Sequence, residues 1–277
     1  GTAVGEVGTI LRTTDGGASW TGQSSGTTNT LYGVSFTDAN TGMVVGASGT
    51  ILRTTNGGAS WTSHSTGIID FFGVSVPDAN TGTVVGTLGR ILRTTDGWAG
   101  WTVWYTASNS LYSVSFTDAN TGTAVGYNGT IRRYTGGFTW TDQSSGTTNN
   151  LWGVSFTNAN VGTAVGSGGT ILRTTNGGAS WTGQASGTTY HLLGVSFTDA
   201  NTGTAVGSRG TIVRTTNGGA TWTSQSSGTT NGLSGVSFTD ANTGTAVGGA
   251  GIVRTTNGVN WSSQSSGATN YLNGVSF

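Results

Sequence analysis

Ten arginines carry all the fixed positive charge of this 277-residue chain, and lysine is absent. Seven of them, Arg12, Arg53, Arg93, Arg133, Arg173, Arg214 and Arg254, recur about every 40 residues. Guanidinium groups gathered at one point would clamp a carboxylate or phosphate. A repeated position instead spreads them evenly, so bridging to carbonyls, Asp turns or hydroxyls between neighbouring units is the expected role. Arg90, Arg132 and Arg209 break the repeat and are the better candidates for an exposed anion- or partner-binding patch. The acids are spread in the same way. Asp38, Asp78, Asp118, Asp199 and Asp240 hold one repeated turn position, and Glu6 is the only glutamate. Glycoside hydrolysis needs two carboxylates about 5 to 10 Å apart, which acids in separate units do not provide.

Other chemistries fail on inventory. His64 and His191 are the only histidines and stand three copies apart, against a metal cluster or a histidine-based nucleophile relay. Asp38-Ala39-Asn40-Thr41-Gly42 has the opening of a calcium loop without its later bidentate acid. Gly-rich turns such as Gly166-Ser167-Gly168-Gly169 contain no Lys and precede a strand, so they read as tight hairpins rather than phosphate cradles. There is no cysteine, hence no disulfide, thiolate metal site or thiol nucleophile. No catalytic residue, metal or cofactor is expected.

The elements that position these residues follow from one repeated phrase. A tryptophan closes it seven times, at Trp20, Trp61, Trp101, Trp140, Trp181, Trp222 and Trp261. A period of about 40 residues is that of a four-stranded propeller blade. In the copy beginning at Leu151, strand A is read over residues 151–156, B over 163–166 and C over 170–175, and D opens at Trp181. Asn and Gly fill the turns between them. The chain starts inside a strand B and stops on a strand A, Leu272 to Phe277, so that last strand should complete the first blade. The prediction is one all-β domain over residues 1–277: a seven-bladed propeller of four-stranded antiparallel blades, closed by one C-terminal and three N-terminal strands.

The connection from C to D reads Thr13-Thr14-Asp15-Gly16-Gly17-Ala18-Ser19-Trp20 and recurs at residues 54–61, 174–181 and 215–222. It resembles the Asp-box, or bacterial neuraminidase repeat, in which Asp or Asn caps the turn, Gly takes positive φ and the aromatic ring covers the hairpin. Asp15 and Asp96 keep the acid, Asn56, Asn176, Asn217 and Asn257 replace it, and the copy at Thr135-Gly136-Gly137 lacks it. Such drift suits a turn cap and not a catalytic acid. The fuller phrase GTILRTTDGGASW is similar to the propeller family of the photosystem II assembly and stability factor, along essentially the whole chain. Asp-box propellers also include sialidases, glucanases and receptors, so the resemblance implies fold more than function. The sialidase site of three clustered Arg, a Tyr nucleophile with its Glu, and an Asp acid/base has no counterpart here.

Function is expected where copies differ. The second residue of strand A reads Tyr32, Phe72, Tyr112, Trp152, Leu193, Ser234 and Asn273, an aromatic in four consecutive blades. Trp104, Tyr105, Tyr127 and Tyr190 with His191 are expected on the same face, that of the D-to-A and B-to-C loops, which the resemblance implies is the binding face. An aromatic arc at one side of the channel mouth suits a hydrophobic peptide or a sugar. The alternative is that these rings only fill space between blades. Balanced charge, 7% charged residues, speaks against a nucleic-acid partner, and no apolar run reaches the ~18 residues of a membrane helix. The expectation is a monomeric, non-enzymatic scaffold, secreted, at the cell surface or periplasmic, that binds a protein or, alternatively, a glycan.

Overall fold

The computed structural model describes residues 1–105, 109–137, 139–249 and 251–277, with the side chain of Tyr105 outside that description. Seven antiparallel four-stranded sheets form the ring. Blade 5 shows the pattern, with strand A at Leu151–Phe156, B at Gly162–Gly166, C at Ile171–Thr174 and D at Thr182–Gln184. Blade 1 joins strand A from Leu272–Ser276 to Thr2–Gly5, Ile10–Arg12 and Thr21–Gln23, with Thr2 opposite Ser276 and Ala3 opposite Val275. Blades 2, 3, 4, 6 and 7 begin at Leu31, Phe71, Leu111, Leu192 and Leu233.

The core lies between blades, because strand residues alternate sides. Ala164 packs in a cluster with Ile131 and Leu151 at the seam between blades 4 and 5, while its neighbour Val165 packs with Leu192 and Val213 at the next seam. Strand B of blade 5 is fully buried and opens on glycine for a steric reason: a Cβ on Gly162 would sit 2.4 Å from the Phe156 ring that covers it. That ring packs edge-on against Trp181, at 5.9 Å.

Polar ties then close the ring. In each blade the sixth residue of strand A donates its N–H to the serine hydroxyl of strand A in the preceding blade, as Phe156 does to Ser115 at 3.1 Å and Phe36 to Ser276 at 3.3 Å. Six of the seven repeated arginines bridge the seams as their spacing suggested, Arg254 through the Gly16 carbonyl at 2.6 Å, while Arg53 lies over the Trp98 ring instead. Arg12 donates to Thr2 Oγ1 at 2.9 Å and to the Ala39 carbonyl of the next blade at 2.6 Å, beneath Phe36. Arg93, Arg133, Arg173 and Arg214 repeat this arrangement and are buried. Desolvation lowers the pKa of each, a cost the hydrogen bonds and the aromatic face offset.

Candidate binding site at the channel mouth

Position two of strand A is set apart by a break in register. In blade 5, Leu151 pairs with Gly166 and Gly153 with Val165, so Trp152 is an extra residue between them; the same shift recurs in every blade. A β-bulge re-aims the side chain of its extra residue. Here it turns Tyr32, Phe72, Tyr112, Trp152, Leu193, Ser234 and Asn273 into the central channel, leaving each half-buried instead of sandwiched between blades.

Four of these side chains form a continuous aromatic wall. Tyr32 meets Phe72 at 5.4 Å, Phe72 meets Tyr112 at 5.7 Å, and Tyr112 stacks on Trp152 at 4.4 Å with their planes 25° apart. The Trp152 indole N–H donates to Ser167 Oγ at 3.0 Å, which fixes the ring at the B-to-C turn end. The other side of the channel carries Leu193 and two polar residues; Ser234 shares a hydrogen bond with the Tyr271 hydroxyl, and Asn273 donates to the Leu31 carbonyl at 2.9 Å. The cavity between them holds about 370 Å³. Burial is the main cause raising the pKa of both Tyr32 and Tyr112, with Asp70 and Glu6 adding at Tyr32 and Tyr127 adding at Tyr112. Both phenols therefore remain protonated donors at neutral pH.

The other candidates separate. Tyr127 stands on a B-to-C turn, half exposed and close enough to raise the Tyr112 pKa. Trp104 does not join the arc: it lies on an outer strand, Thr102–Tyr105, opposite Ile91, and packs on the hydrophobic cluster at the seam of blades 3 and 4. It occupies the strand D position where Gln143 and Gln184 tie to the next blade. Comparing that position across copies would have revealed this. Tyr105, as a side chain, lies outside the described residues. Arg90 starts strand C of blade 3, opposite Tyr105 in the register with strand D. Arg132 is paired with Asp142 at 2.7 Å. Arg209 projects from the B-to-C turn of blade 6, with its guanidinium 5.5 Å from the Tyr190 ring.

The Asp-box residues cap their turns. Asn56 Oδ1 accepts from Thr54 Oγ1 at 2.9 Å and from Ser60 N at 3.0 Å, and Thr54 Oγ1 accepts from Gly58 N at 2.8 Å. Asn176 and Asn217 make the same bonds, and Asn257 accepts from Val259 N and Asn260 N in its shorter loop. Asp15 accepts from Thr13 Oγ1, Ser19 N and Ser19 Oγ, and Asp96 from Thr94 Oγ1 and Gly100 N; these bonds hold both carboxyls below the usual range. In blade 4, which lacks the acid, the Tyr134 hydroxyl donates to the Gly137 carbonyl at 2.9 Å. Trp181, Trp222 and Trp261 each donate an indole N–H to a Gln of the preceding blade. Trp101 and Trp140 have no such partner, because His64 and Trp104 stand where that Gln would be. Among the described residues, no three His, Asp or Glu side chains gather as a metal site would require.

Ring, bulges and boxes together define a seven-bladed Asp-box β-propeller. Residues 23–103 match the family described as Photosynthesis system II assembly factor YCF48, and most of the chain resembles that assembly factor in fold. The solved structure of YCF48 bound to D1 peptide superposes with a TM-score of 0.68 at 20% identity, over 84% of this chain and 80% of that one. YCF48 from Cyanidioschyzon merolae gives 0.73 at 21% identity, over 92% and 90%. The GH74 xyloglucanase from Xanthomonas campestris gives 0.74 at 13% identity, over all of this chain and 52% of that enzyme. Identities this low speak to fold alone. No curated protein sequence matches the chain.

Proposed function

We propose that this propeller is a non-enzymatic interaction scaffold whose channel mouth grips a hydrophobic segment of a partner protein on its aromatic side. The observation that carries this reading is the bulge at position two, which takes four consecutive aromatic side chains out of the packing and joins them into one wall. A solved propeller of similar fold is described as bound to a peptide, which supports the class of ligand. The wall also suits a peptide better than a sugar. Tyr112 and Trp152 spend ring faces on each other, and about 370 Å³ accommodates a few side chains rather than an oligosaccharide. Glycan stacking remains the second reading, favoured by the polar neighbours Ser167, Ser234 and Asn273. Against enzymatic action stands the separation of the turn carboxylates, each bonded within its own blade, as Asp38 is to Asn40 N and Thr41 N. The neutral, hydroxyl-rich composition supports a secreted or envelope location.

The test is selection of peptides on the immobilised protein beside a glycan array. Selected hydrophobic peptides should lose at least about tenfold in affinity on Trp152→Ala or Phe72→Ala, since aromatic anchors often contribute 2 kcal/mol or more. Peptides that bind both variants unchanged, or bind the Asp-box face, would remove this reading. Neutral glycans that depend on Trp152 would establish the second one instead.

A further inference from the structure

A groove of about 820 Å³ runs beside blade 6, between the loop through Gly187 and Tyr190 and the loop through Ser224 and Thr230. Its counterpart beside blade 1, about 870 Å³, is built from the same repeat positions, so the groove itself is a product of blade geometry. Its chemistry is not. Where blade 1 has Asn270 and Val7, blade 6 has Tyr190 and Arg209.

The first substitution runs against local structure. The residue at the Tyr190 position is an Asn in five other blades, and in four of them it donates to a Thr of the following turn, as Asn29 does to Thr50 Oγ1 and Asn270 to Thr9 Oγ1. Tyr190 gives up that tie and leaves a large ring 45% exposed. Arg209 sits at φ 57°, the left-handed conformation that this turn position also takes at Val7, Ser48, Leu88 and Asn128, so the turn accepts a side chain there without dictating which one. A ring that forgoes the seam hydrogen bond, set 5.5 Å from the one arginine at this turn position in the seven blades, marks a site kept for function rather than packing. A guanidinium laid against a ring is held in place while its N–H edges remain available for a carboxylate. Among the described residues, no carboxylate bonds to it. Asp199 and Asp240 are tied into A-to-B turns by Asn201 N and Asn242 N.

We propose that this groove is a binding site for a carboxylated saccharide, such as a uronic-acid unit of a polysaccharide. Arg209 takes the carboxylate, Tyr190 positions Arg209 and flanks the sugar, and the exposed hydroxyls of Ser224, Ser226 and Thr230 face its hydroxyl groups. The groove is far larger than a simple anion requires. It also lacks apolar pockets that would anchor a peptide, since Val213 in its floor is covered. The site is independent of the aromatic wall in the channel.

Titration with galacturonate trisaccharide, its fully methyl-esterified neutral form, sodium acetate and a triglutamate peptide tests the assignment. The acidic trisaccharide should bind, and Arg209→Ala should weaken it at least tenfold while Trp152→Ala leaves it unchanged. A Tyr190→Asn, Arg209→Gly double variant gives the groove the Asn of the other blades and the Gly of blade 5, so it should abolish binding with a melting temperature equal to or above that of the parent. Equal affinity for the esterified trisaccharide, acetate or triglutamate would overturn the proposal. So would absence of binding by the parent protein, or full binding by the double variant.

Discussion

The seam between blades 5 and 6 and the seam between blades 2 and 3 join equivalent surfaces by different means. At the first, Arg173 bridges Thr163 Oγ1 to the Ala200 carbonyl, lies over Phe197 at 4.8 Å, and Gln184 ties the Gly218 carbonyl to the Trp222 indole. At the second, Met43 replaces that threonine, Val76 the phenylalanine, Trp98 a box glycine and His64 the glutamine. Trp98 fills the space above Gly82 that a phenylalanine fills elsewhere, and its indole N–H takes the Ala79 carbonyl at 3.0 Å. Arg53 is left with the Trp98 ring, 5.2 Å away, and a buried Nε without a partner. His64 belongs to the same exchange. At a regular seam, a Cβ on Gly58, Gly178 or Gly219 would fall within about 2 Å of the glutamine amide, so a side chain at residue 98 and a glutamine at residue 64 exclude one another. Departures from a repeat that meet inside the packing of a seam are therefore repacking, and those that meet on the channel wall or in an outer groove, such as Trp152 on Tyr112 or Arg209 on Tyr190, are where binding is to be sought.

The severest test is to remove a seam altogether. Deleting residues 271–277 takes strand A from blade 1, exposes the sheet edge at Thr2–Gly5, and strips Leu272, which is fully buried, from the contacts it makes with blade 7. Cooperative thermal unfolding should be lost or the melting temperature lowered by more than any single substitution achieves. A deletion variant that melts with the parent would mean that seams contribute independently and that ring closure adds nothing.

Next in size is Trp98→Gly. Emptying the space above Gly82 and Met43 should cost about 3–5 kcal/mol, as aromatic truncation in a core does, less whatever strain is relieved at its φ of 82°. Adding Val76→Phe should restore most of the loss, because the ring then returns to the position Phe36 and Phe156 hold in other blades. Denaturant unfolding of both single variants and the double variant gives the coupling directly. Additive effects would show that residues 76 and 98 do not exchange one volume between them.

How far the sequence could be read follows from what repeats. The closed ring, four strands per blade and capped C-to-D turns were legible because tryptophan, glycine and Asp or Asn recur at fixed spacing. The aromatic arc was legible as a list of variable residues, but the alternation of a plain strand leaves position two between blades, and only the bulge, seen as Leu151 opposite Gly166 and Gly153 opposite Val165, turns Trp152 inward. Trp104 was misplaced for a related reason. An aromatic residue that departs from the pattern is conspicuous whether it binds something or replaces Gln143's equivalent on an outer strand, and strand position decides which.

A smaller effect separates the polar seam from the apolar one. Arg173→Met removes two charge-assisted hydrogen bonds at a buried site and should cost about 2–3 kcal/mol in denaturant unfolding. Arg53→Met removes only a contact with the Trp98 ring and should cost about 1 kcal/mol or less. Equal costs at the two sites would erase the distinction between them.

The smallest effect concerns the caps shared by both kinds of seam, and it is visible mainly in acid. Asp15 has its pKa lowered from 3.8, chiefly by the Ser19 hydroxyl, then by the Ser19 backbone N–H and the Thr13 hydroxyl. A carboxyl whose folded pKa is depressed adds stability that is fully present above the unfolded value. That stability is lost as pH falls below about 3.8 toward the lower folded pKa. Asn56 makes nearly the same bonds without titrating. Asp15→Asn should therefore leave the melting temperature at neutral pH close to that of the parent and make its decline below pH 4 shallower. Asp38, Asp199 and Asp240, whose pKa values backbone N–H bonds also lower, continue to supply the remaining acid dependence. Thermal melts from pH 7 down to about pH 2.5 make the comparison. An unchanged acid limb in the variant would show that Asp15 ionisation is not linked to folding, while a large loss at pH 7 would show that the box needs a carboxylate and that Asn56, Asn176 and Asn217 do not stand in for it.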